Sequence, residues 1–220
     1  MMAADDLVIT DLDGNKLSGR RNPSSELAMH LLIYRRRPDI NAVCHAHPPV
    51  ATGYASAGLA LNKAILAELV LSLGCIPVAR YGTPGTPELT DAIEPLVQSY
   101  DAILMANHGV VTYGADLLSA FFRMETTEHF ALVALVTELL GKQVLLSGGD
   151  VEKLLAARAR YGGQTAAPTT SECPVTSDAS ETSDASGAER ITLTRRELES
   201  LIDEAIQKER SRLQRFCNLD

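Results

Sequence analysis

The sequence is poor in positive charge and in the paired cysteines that hold structural metals. Lys and Arg number 20 against 28 Asp and Glu, which gives a formal net charge of -8 at pH 7. Binding to nucleic acid depends on clustered basic residues that neutralise phosphates, so this balance argues against a nucleic-acid partner. The four cysteines, Cys44, Cys75, Cys173 and Cys217, show none of the close pairing of cysteine-rich zinc sites. A structural zinc site of that kind is therefore not expected.

Long apolar runs are also missing. No stretch approaches the roughly 18 consecutive apolar residues that a membrane-spanning helix requires, and the first residues lack the charged and then apolar pattern of a secretory leader. We therefore expect a cytoplasmic protein with no membrane partner. Hydrophobic residues nevertheless make up 45% of the 220 residues, which is enough to fill the core of one domain of ordinary size with additional tails.

Two histidines, one residue apart, follow an apolar run. Residues 41–44 lead directly into His45 and His47, and because side chains alternate along a strand, both imidazoles should point to the same side. Such a pair is common by chance and does not establish a metal site by itself. A second apolar run, residues 101–106, ends just before His108. Two strands that each deliver histidine at one end suggest convergence on one point.

A carboxylate is available for the same site. Three neutral imidazoles with an open fourth position are the ligand set of a catalytic zinc ion rather than a structural one. Ser24 or Ser25 should cap a helix that follows, which places Glu26 in its first turn. Because a helix N-terminus stabilises anions, this position suits an ionised acid or base.

Four short motifs follow one another along the chain: Pro23-Ser24-Ser25-Glu26, His45-x-His47-Pro48, Pro84-Gly85-Thr86-Pro87-Glu88-Leu89 and Ala106-Asn107-His108-Gly109. In this order and at similar spacings, over roughly residues 7–161, they resemble the class II aldolase and adducin family, and within it the L-fuculose-phosphate aldolases. Each motif alone would be a weak signal, but the four together are specific.

The resemblance implies a fold, an assembly and a chemistry. The fold is an α/β domain with three α/β/α layers and a mixed central sheet, in a homotetramer whose active sites lie between neighbouring subunits. The implied reaction is zinc-dependent cleavage of a deoxy-ketose 1-phosphate, such as L-fuculose 1-phosphate, to dihydroxyacetone phosphate and lactaldehyde. Glu26 would act as acid/base and approach the metal when substrate is absent, and Ser24 and Ser25 would hold the substrate phosphate. The implied ligands of Zn2+ are His45, His47, His108 and Glu26.

Competing hypotheses remain for the activity. Members of the family normally carry Gly-Asn-x-Ser and Thr-Pro-Ser-Gly type segments before the first strand, and residues 1–6 contain neither. We expect these segments to be encoded upstream of Met1; the alternative is that part of the phosphate pocket has been lost. The rival functions are epimerisation or dehydration of another sugar phosphate on the same fold, and a non-catalytic, adducin-like assembly role.

Local patterns predict several elements outside the motifs. Thr86 followed by Pro87 predicts the start of a helix, and a further helix is expected over residues 62–73. Glu68 on that helix is either a second carboxylate near the site or an exposed residue. The basic cluster 35–37 is interpreted as a solvated helix end. A long helix over residues 115–140 should pack on the sheet through Leu118, Phe121, Phe122, Leu132, Leu135 and Leu139.

The composition divides the chain into three parts. We expect residues 1–163 to form the aldolase-like domain, without the family's usual amino-terminal part, and residues 164–190 have the Ser-, Thr- and Ala-rich composition of a disordered linker. Residues 191–220 contain a capping box and a narrow apolar stripe, which indicate an amphipathic docking helix. This helix resembles the encapsulation peptides of bacterial microcompartments, so its implied partner is a shell protein and its implied location is inside such a compartment. A helix that folds back on the enzyme, or a small coiled coil, is the alternative.

Overall fold

A computed structural model describes residues 3–158. The predicted linker over 164–190 and the predicted docking helix over 191–220 lie outside the described residues. After a short 3-10 turn at Ala4–Asp6, the strands are β1 (Ile9–Thr10), β2 (Lys16–Ser18), β3 (Ala42–Ala46), β4 (Val78–Ala79), β5 (Ala102–Met105) and β6 (Gly109–Gly114). The helices are α1 (Leu27–Arg36), α2 (Pro49–Ala57), α3 (Ala67–Ser72), α4 (Pro87–Val97), α5 (Leu117–Leu139) and α6 (Gly148–Ala157).

The central sheet has four strands in the order β3-β6-β5-β4. The pairs β3–β6 and β6–β5 are antiparallel, whereas β5 and β4 are parallel, so the sheet is mixed as expected. The strands β1 and β2 form a separate hairpin. In the register of the sheet, His45 stands opposite Val111, and Ala46 stands opposite Val110. The last residue of β3 therefore lies beside the start of β6, where the third histidine is found.

Side chains on the two faces of the sheet fill two separate cores. Ile103, Met105 and Val111 pack with residues of α1 and α4 on one face. Leu104 and Val110, which alternate with them along the strands, pack with residues of α2 and α5 on the other. Helices thus cover both faces, which confirms the predicted three-layer α/β/α fold. None of the helices within residues 3–158 is long and apolar enough to cross a membrane.

Local sequence signals predict the start of α4 correctly but not the start of α3. The helix α4 begins at Pro87, and the Thr86 side chain accepts a hydrogen bond from the amide of Glu88, as the sequence predicts. The helix α3 begins only at Ala67, so the prediction of a helix from residue 62 was wrong at its start. Leu61 exchanges backbone hydrogen bonds with Ile76 instead, and the carbonyl group of Ala64 accepts one from Leu146. These long-range partners use backbone groups that a longer helix would need.

The long helix α5 presents a different face to the sheet from the one predicted. Its buried residues are mainly small, among them Ala120, Ala131 and Ala134, with Met124 and Phe130 as the larger ones. The residues expected in the core are instead largely outward, with Leu118 65% and Phe122 56% exposed. Small side chains let the helix axis approach the sheet closely, so they occupy the inner face. The outer face carries a set of large apolar residues: Leu117, Leu118, Phe121, Phe122, Leu132, Val136, Leu139 and Leu140.

The interpretation of residues 35–37 as a solvated helix end was wrong for Arg37. This residue is only 4% exposed, and its guanidinium group donates to the carboxylates of Asp39 and Asp101 and to the carbonyl group of Val97. It also lies over the Tyr113 ring, 5.6 Å from the ring centroid. Its buried partner Asp101 is 64 residues away in sequence, which is why the local pattern did not reveal the ion pair.

Candidate metal centre

The strand β3 carries the first histidine of the site on the face that α1 covers. Val43 packs into the core beneath α1 and α4, and side chains alternate, so His45 is directed to the same layer. The ring is held there by a hydrogen bond of 2.8 Å between Nδ1 and the carbonyl oxygen of Val110 on β6. His47 follows one residue beyond the end of the strand and is the more exposed of the two.

The turn between β5 and β6 supplies the third histidine. The amide of His108 donates to the carbonyl oxygen of Met105 at 3.0 Å, which closes a tight turn. Asn107 adopts a φ of 55° within this turn. Asparagine tolerates that left-handed conformation better than most residues do, so the Asn-His-Gly sequence is matched to the turn. The turn brings His108 to the edge of the sheet where β3 ends.

Glu26 lies at the start of α1, although not quite where the sequence places it. The helix begins at Leu27 and Glu26 is its N-cap, so the prediction that Glu26 lies in the first turn was wrong by one position. The Ser24 hydroxyl oxygen accepts a hydrogen bond from the Glu26 amide at 3.2 Å. This bond stabilises the turn before α1 and does not cap the first turn of the helix. The carboxylate of Glu26 nevertheless projects from the helix start toward the histidines.

The four side chains meet around one point. Glu26 Oε2 lies 2.7 Å from His45 Nε2, and Glu26 Oε1 lies 3.0 Å from His108 Nε2. The Nε2 atoms of His45 and His47 are 3.1 Å apart. One ligand atom from each of the three histidines falls within 4.8 Å of the others. Tetrahedral zinc with Zn–N bonds near 2.0–2.1 Å separates its ligand atoms by about 3.3 Å, so the observed spacing is of the size that a shared ion requires.

The chemistry of the donor atoms also fits a cation. Nδ1 of His45 faces a carbonyl oxygen, which can only accept, so Nδ1 carries the proton and Nε2 presents its lone pair. Burial lowers the pKa of His45, the other two imidazoles lower it further, and Val110 and Glu26 oppose the shift. A neutral His45 would then turn a lone pair toward an acceptor oxygen of Glu26 at 2.7 Å. A cation held between these atoms would remove the repulsion.

One glycine makes room for the exposed histidine. A Cβ atom at Gly109 would lie 2.4 Å from Cδ2 of His47 and 2.7 Å from the carbonyl oxygen of Ala46. Both distances are far below ordinary contact, so the close approach of the His47 ring to β6 depends on the missing side chain. The sequence indicated Gly109 only as a turn residue; its contact with His47 required the structure.

The remaining candidates lie around this cluster or away from it. Ser24 and Ser25 are exposed in the turn before Glu26, and Gly85 of the neighbouring loop packs against Ser25. His30 lies one turn along α1 and is partly buried, and its electrostatic neighbours are His45 and Glu26. Glu68 is exposed in the first turn of α3, which favours the second of the two interpretations offered for it.

Comparison with known proteins assigns the chain to a family. The family model named Class II Aldolase and Adducin N-terminal domain matches residues 1–135. The chain belongs to the class II aldolase and adducin family. A 5-deoxy-D-ribulose 1-phosphate aldolase of Bacillus thuringiensis serovar kurstaki is 38% identical over 162 residues, which cover 73% of this chain and 75% of the relative. A 3-oxo-tetronate 4-phosphate decarboxylase of Pectobacterium atrosepticum is 34% identical over 157 residues, covering 69% and 70%.

A solved structure supports the same assignment for the fold. An L-fuculose 1-phosphate aldolase superposes with a TM-score of 0.67 at 32% sequence identity, over 73% of this chain and 74% of that chain. The mixed sheet with helices on both faces is therefore the class II aldolase fold. Class II aldolases are metal-dependent lyases, and in this member of the family His45, His47 and His108 form a group that could bind a metal ion.

Proposed function

We propose that this chain is a zinc-dependent aldolase that cleaves a deoxy-ketose 1-phosphate. The observation that carries the proposal is the meeting of three imidazole nitrogens and the Glu26 carboxylate around one point. The products would be dihydroxyacetone phosphate and a short aldehyde such as lactaldehyde. Candidate substrates are L-fuculose 1-phosphate, rhamnulose 1-phosphate and, from the name of the relative in Bacillus thuringiensis, 5-deoxy-D-ribulose 1-phosphate.

Each residue of the cluster has a proposed role. His45, His47 and His108 would hold the ion through their Nε2 atoms, and Glu26 would be a further ligand when no substrate is present. A bound zinc ion supplies Lewis-acid polarisation of the substrate's carbonyl and hydroxyl oxygens. Glu26 then accepts the proton that the substrate hydroxyl loses as the carbon–carbon bond breaks, and returns a proton to the product. Ser24 and Ser25, at the exposed turn before α1, are proposed to bind the phosphate.

The activity test compares the zinc-loaded protein with a Glu26→Gln variant. We expect the native chain to release dihydroxyacetone phosphate from at least one of the three ketose phosphates, measured by coupled oxidation of NADH. The variant should retain zinc but lose roughly 100-fold or more in kcat, because removal of a general acid/base costs about 10²–10⁴ in rate. Release from none of the three substrates would remove the aldolase proposal. Ser25→Ala should raise KM more than it lowers kcat, and it is a cleaner test than Ser24→Ala because Ser24 also bonds to the Glu26 amide.

A decarboxylase is the second candidate, favoured by the relative in Pectobacterium atrosepticum. Decarboxylation of a 3-oxo acid and retro-aldol cleavage both break a carbon–carbon bond whose electrons pass to a neighbouring carbonyl group, so one site can suit either. Release of CO2 from 3-oxo-tetronate 4-phosphate, without cleavage of the ketose phosphates, would select this candidate. Epimerisation or dehydration on the same site remains a further alternative, and an adducin-like assembly role would follow if the purified protein held no metal.

The assembly is proposed to be a homotetramer. The support is the outer face of α5 and its C-cap, where eight large apolar side chains are exposed in two groups, within residues 117–122 and 132–140. Large exposed apolar surface is typical of protein interfaces. Light scattering should give four times the mass of the 23.6 kDa chain, and Phe122→Lys should reduce the assembly. A monomeric native protein would contradict the proposal.

The tail is proposed, on its sequence alone, to bind a microcompartment shell protein. Residues 191–220 carry the amphipathic pattern described above and lie outside the described residues. Deletion of residues 189–220 should leave the aldolase rate unchanged and abolish co-localisation with shells in cells that make them. Unchanged localisation after the deletion would remove the proposal.

A further inference from the structure

The placement of His47 is the least explained part of the candidate site. His45 belongs to the β3–β6 ladder and its ring is bonded to Val110, while His108 is fixed by the tight turn before β6. His47 lies beyond the last ladder pair, which joins Ala46 to Val110. Gly109 lets its ring approach β6, but a missing side chain only permits a position and does not fix it. The position of His47 therefore depends on what holds the chain that follows it.

That chain enters α2 through two prolines. Pro48 is the N-cap, with no side-chain cap of its own, and Pro49 is the first helical residue. Neither has an amide hydrogen, and the first intrahelical bond runs from Thr52 to the carbonyl oxygen of Pro48 at 2.9 Å. Only the amides of Val50 and Ala51 are left over at this helix start.

The Glu128 carboxylate on α5 accepts hydrogen bonds from both of those amides. Its Oε1 lies 3.0 Å from the nitrogen of Val50, and its Oε2 lies 2.8 Å from that of Ala51. The neighbouring residues Thr127 and Ala131 are fully buried, and Ala131 packs in the core that contains Val110 of the sheet, so the helix that carries the carboxylate is itself fixed. The result is a bidentate, charge-assisted link between α5 and the chain three to four residues after His47.

We propose that Glu128 is a positioning residue for the metal centre, which holds His47 at the distance that the shared ion requires. The inference rests on the proposed metal site. The Glu128 carboxylate fixes the start of α2. Because the two prolines restrict the backbone between α2 and His47, the position of the helix start also sets the position of His47. The absence of a side chain at Gly109 lets the His47 ring come close to His45. Glu128 itself touches neither the ion nor the substrate.

The test is zinc affinity, measured by competition with a chromophoric chelator, together with the visible spectrum of the Co2+ form. Glu128→Gln keeps the shape of the side chain but loses the charge and one acceptor. We expect it to weaken zinc binding by roughly 10-fold, the lower end of the effect of removing a group bonded to a metal ligand, because Glu128 acts on His47 only through the backbone. The Co2+ spectrum should change as well. Glu125→Gln, on the exposed face of the same helix one turn earlier, is the matched control and should change neither.

A double-mutant cycle separates positioning from simple stabilisation of the fold. If Glu128 acts through His47, then Glu128→Gln should cost no further affinity in a His47→Ala background. The same loss in both backgrounds, or native affinity in Glu128→Gln, would overturn the inference while leaving the metal centre intact. A native protein that binds no stoichiometric zinc would instead remove the proposed metal site. If Glu128→Gln does not fold, the same double-mutant cycle can be measured with Glu128→Asp, which keeps the charge but shortens the side chain by one methylene group.

Discussion

Gly109→Ala gives a sharp test of the packing around the exposed histidine. The added Cβ atom would stand 2.4 Å from Cδ2 of His47, whereas carbon atoms in contact are normally about 3.5–4.0 Å apart. The ring must therefore retreat by about 1 Å. A shift of that size would take the ring away from the proposed ion, because ligand distances at a metal site hold within about 0.2 Å.

The expected outcome of Gly109→Ala has two parts. Zinc affinity should fall by roughly 100-fold or more, because the change displaces His47, a proposed ligand, and not merely a group that orients a ligand. The free energy of unfolding of the metal-free protein should fall by about 1–3 kcal/mol, as is usual for overpacking. Chelator competition and urea denaturation measure these quantities.

The matched control for this change is Gly53→Ala. Gly53 lies inside α2, and a Cβ atom there would meet nothing within 4 Å. The substitution should leave zinc binding unchanged and raise the free energy of unfolding by roughly 0.5–1 kcal/mol, because alanine is the better helix former. Native zinc affinity and native stability in Gly109→Ala would refute the packing described here.

Two further predictions concern the fold and its dependence on pH. Asp101→Asn removes the negative charge that Arg37 and Arg123 share at 3.0 and 3.1 Å, while Arg37 keeps Asp39 as a second carboxylate partner. Loss of these charge-assisted hydrogen bonds should lower the free energy of unfolding by about 1.5–3 kcal/mol in urea denaturation. An effect below about 0.5 kcal/mol would contradict a structural role for Asp101. Burial lowers the pKa of His30 in the folded protein, so the unfolded chain binds that proton more readily. The free energy of unfolding of the metal-free protein should therefore be highest above the ordinary histidine pKa. It should fall as the pH drops from about 7.5 to about 5. His30→Gln should make that fall smaller but not abolish it, because burial also lowers the pKa of His45, and a pH profile identical to the native one would count against the buried, neutral His30.

Local sequence patterns were sufficient where the determining contacts are themselves local. Thr86 and Pro87 predict the start of α4 to the residue, and the strand that leads into His45 is recognisable as an apolar run. The apolar run that ends at His108 is equally clear, because its strand is buried on both faces. These signals located the three histidines at strand ends, although only the structure gives their mutual distances.

Features that depend on distant partners could not be found in this way. The buried state of Arg37 follows from Asp101, and the start of α2 is fixed by Glu128, which is 77 residues from Ala51. The buried face of α5 was assigned to its largest apolar residues, such as Phe122, because periodicity does not say which of two apolar stripes meets the sheet. Close packing favoured the stripe of small residues instead.

Zinc K-edge X-ray absorption on the purified protein measures whether three imidazoles bind a single ion. We expect one zinc ion per chain with about three imidazole nitrogens at roughly 2.0–2.1 Å and an oxygen ligand beside them. The imidazole signal should fall by one ligand in His108→Ala. Stoichiometric zinc without imidazole scattering, or a native spectrum in His108→Ala, would contradict the metal centre from which the proposed activity follows.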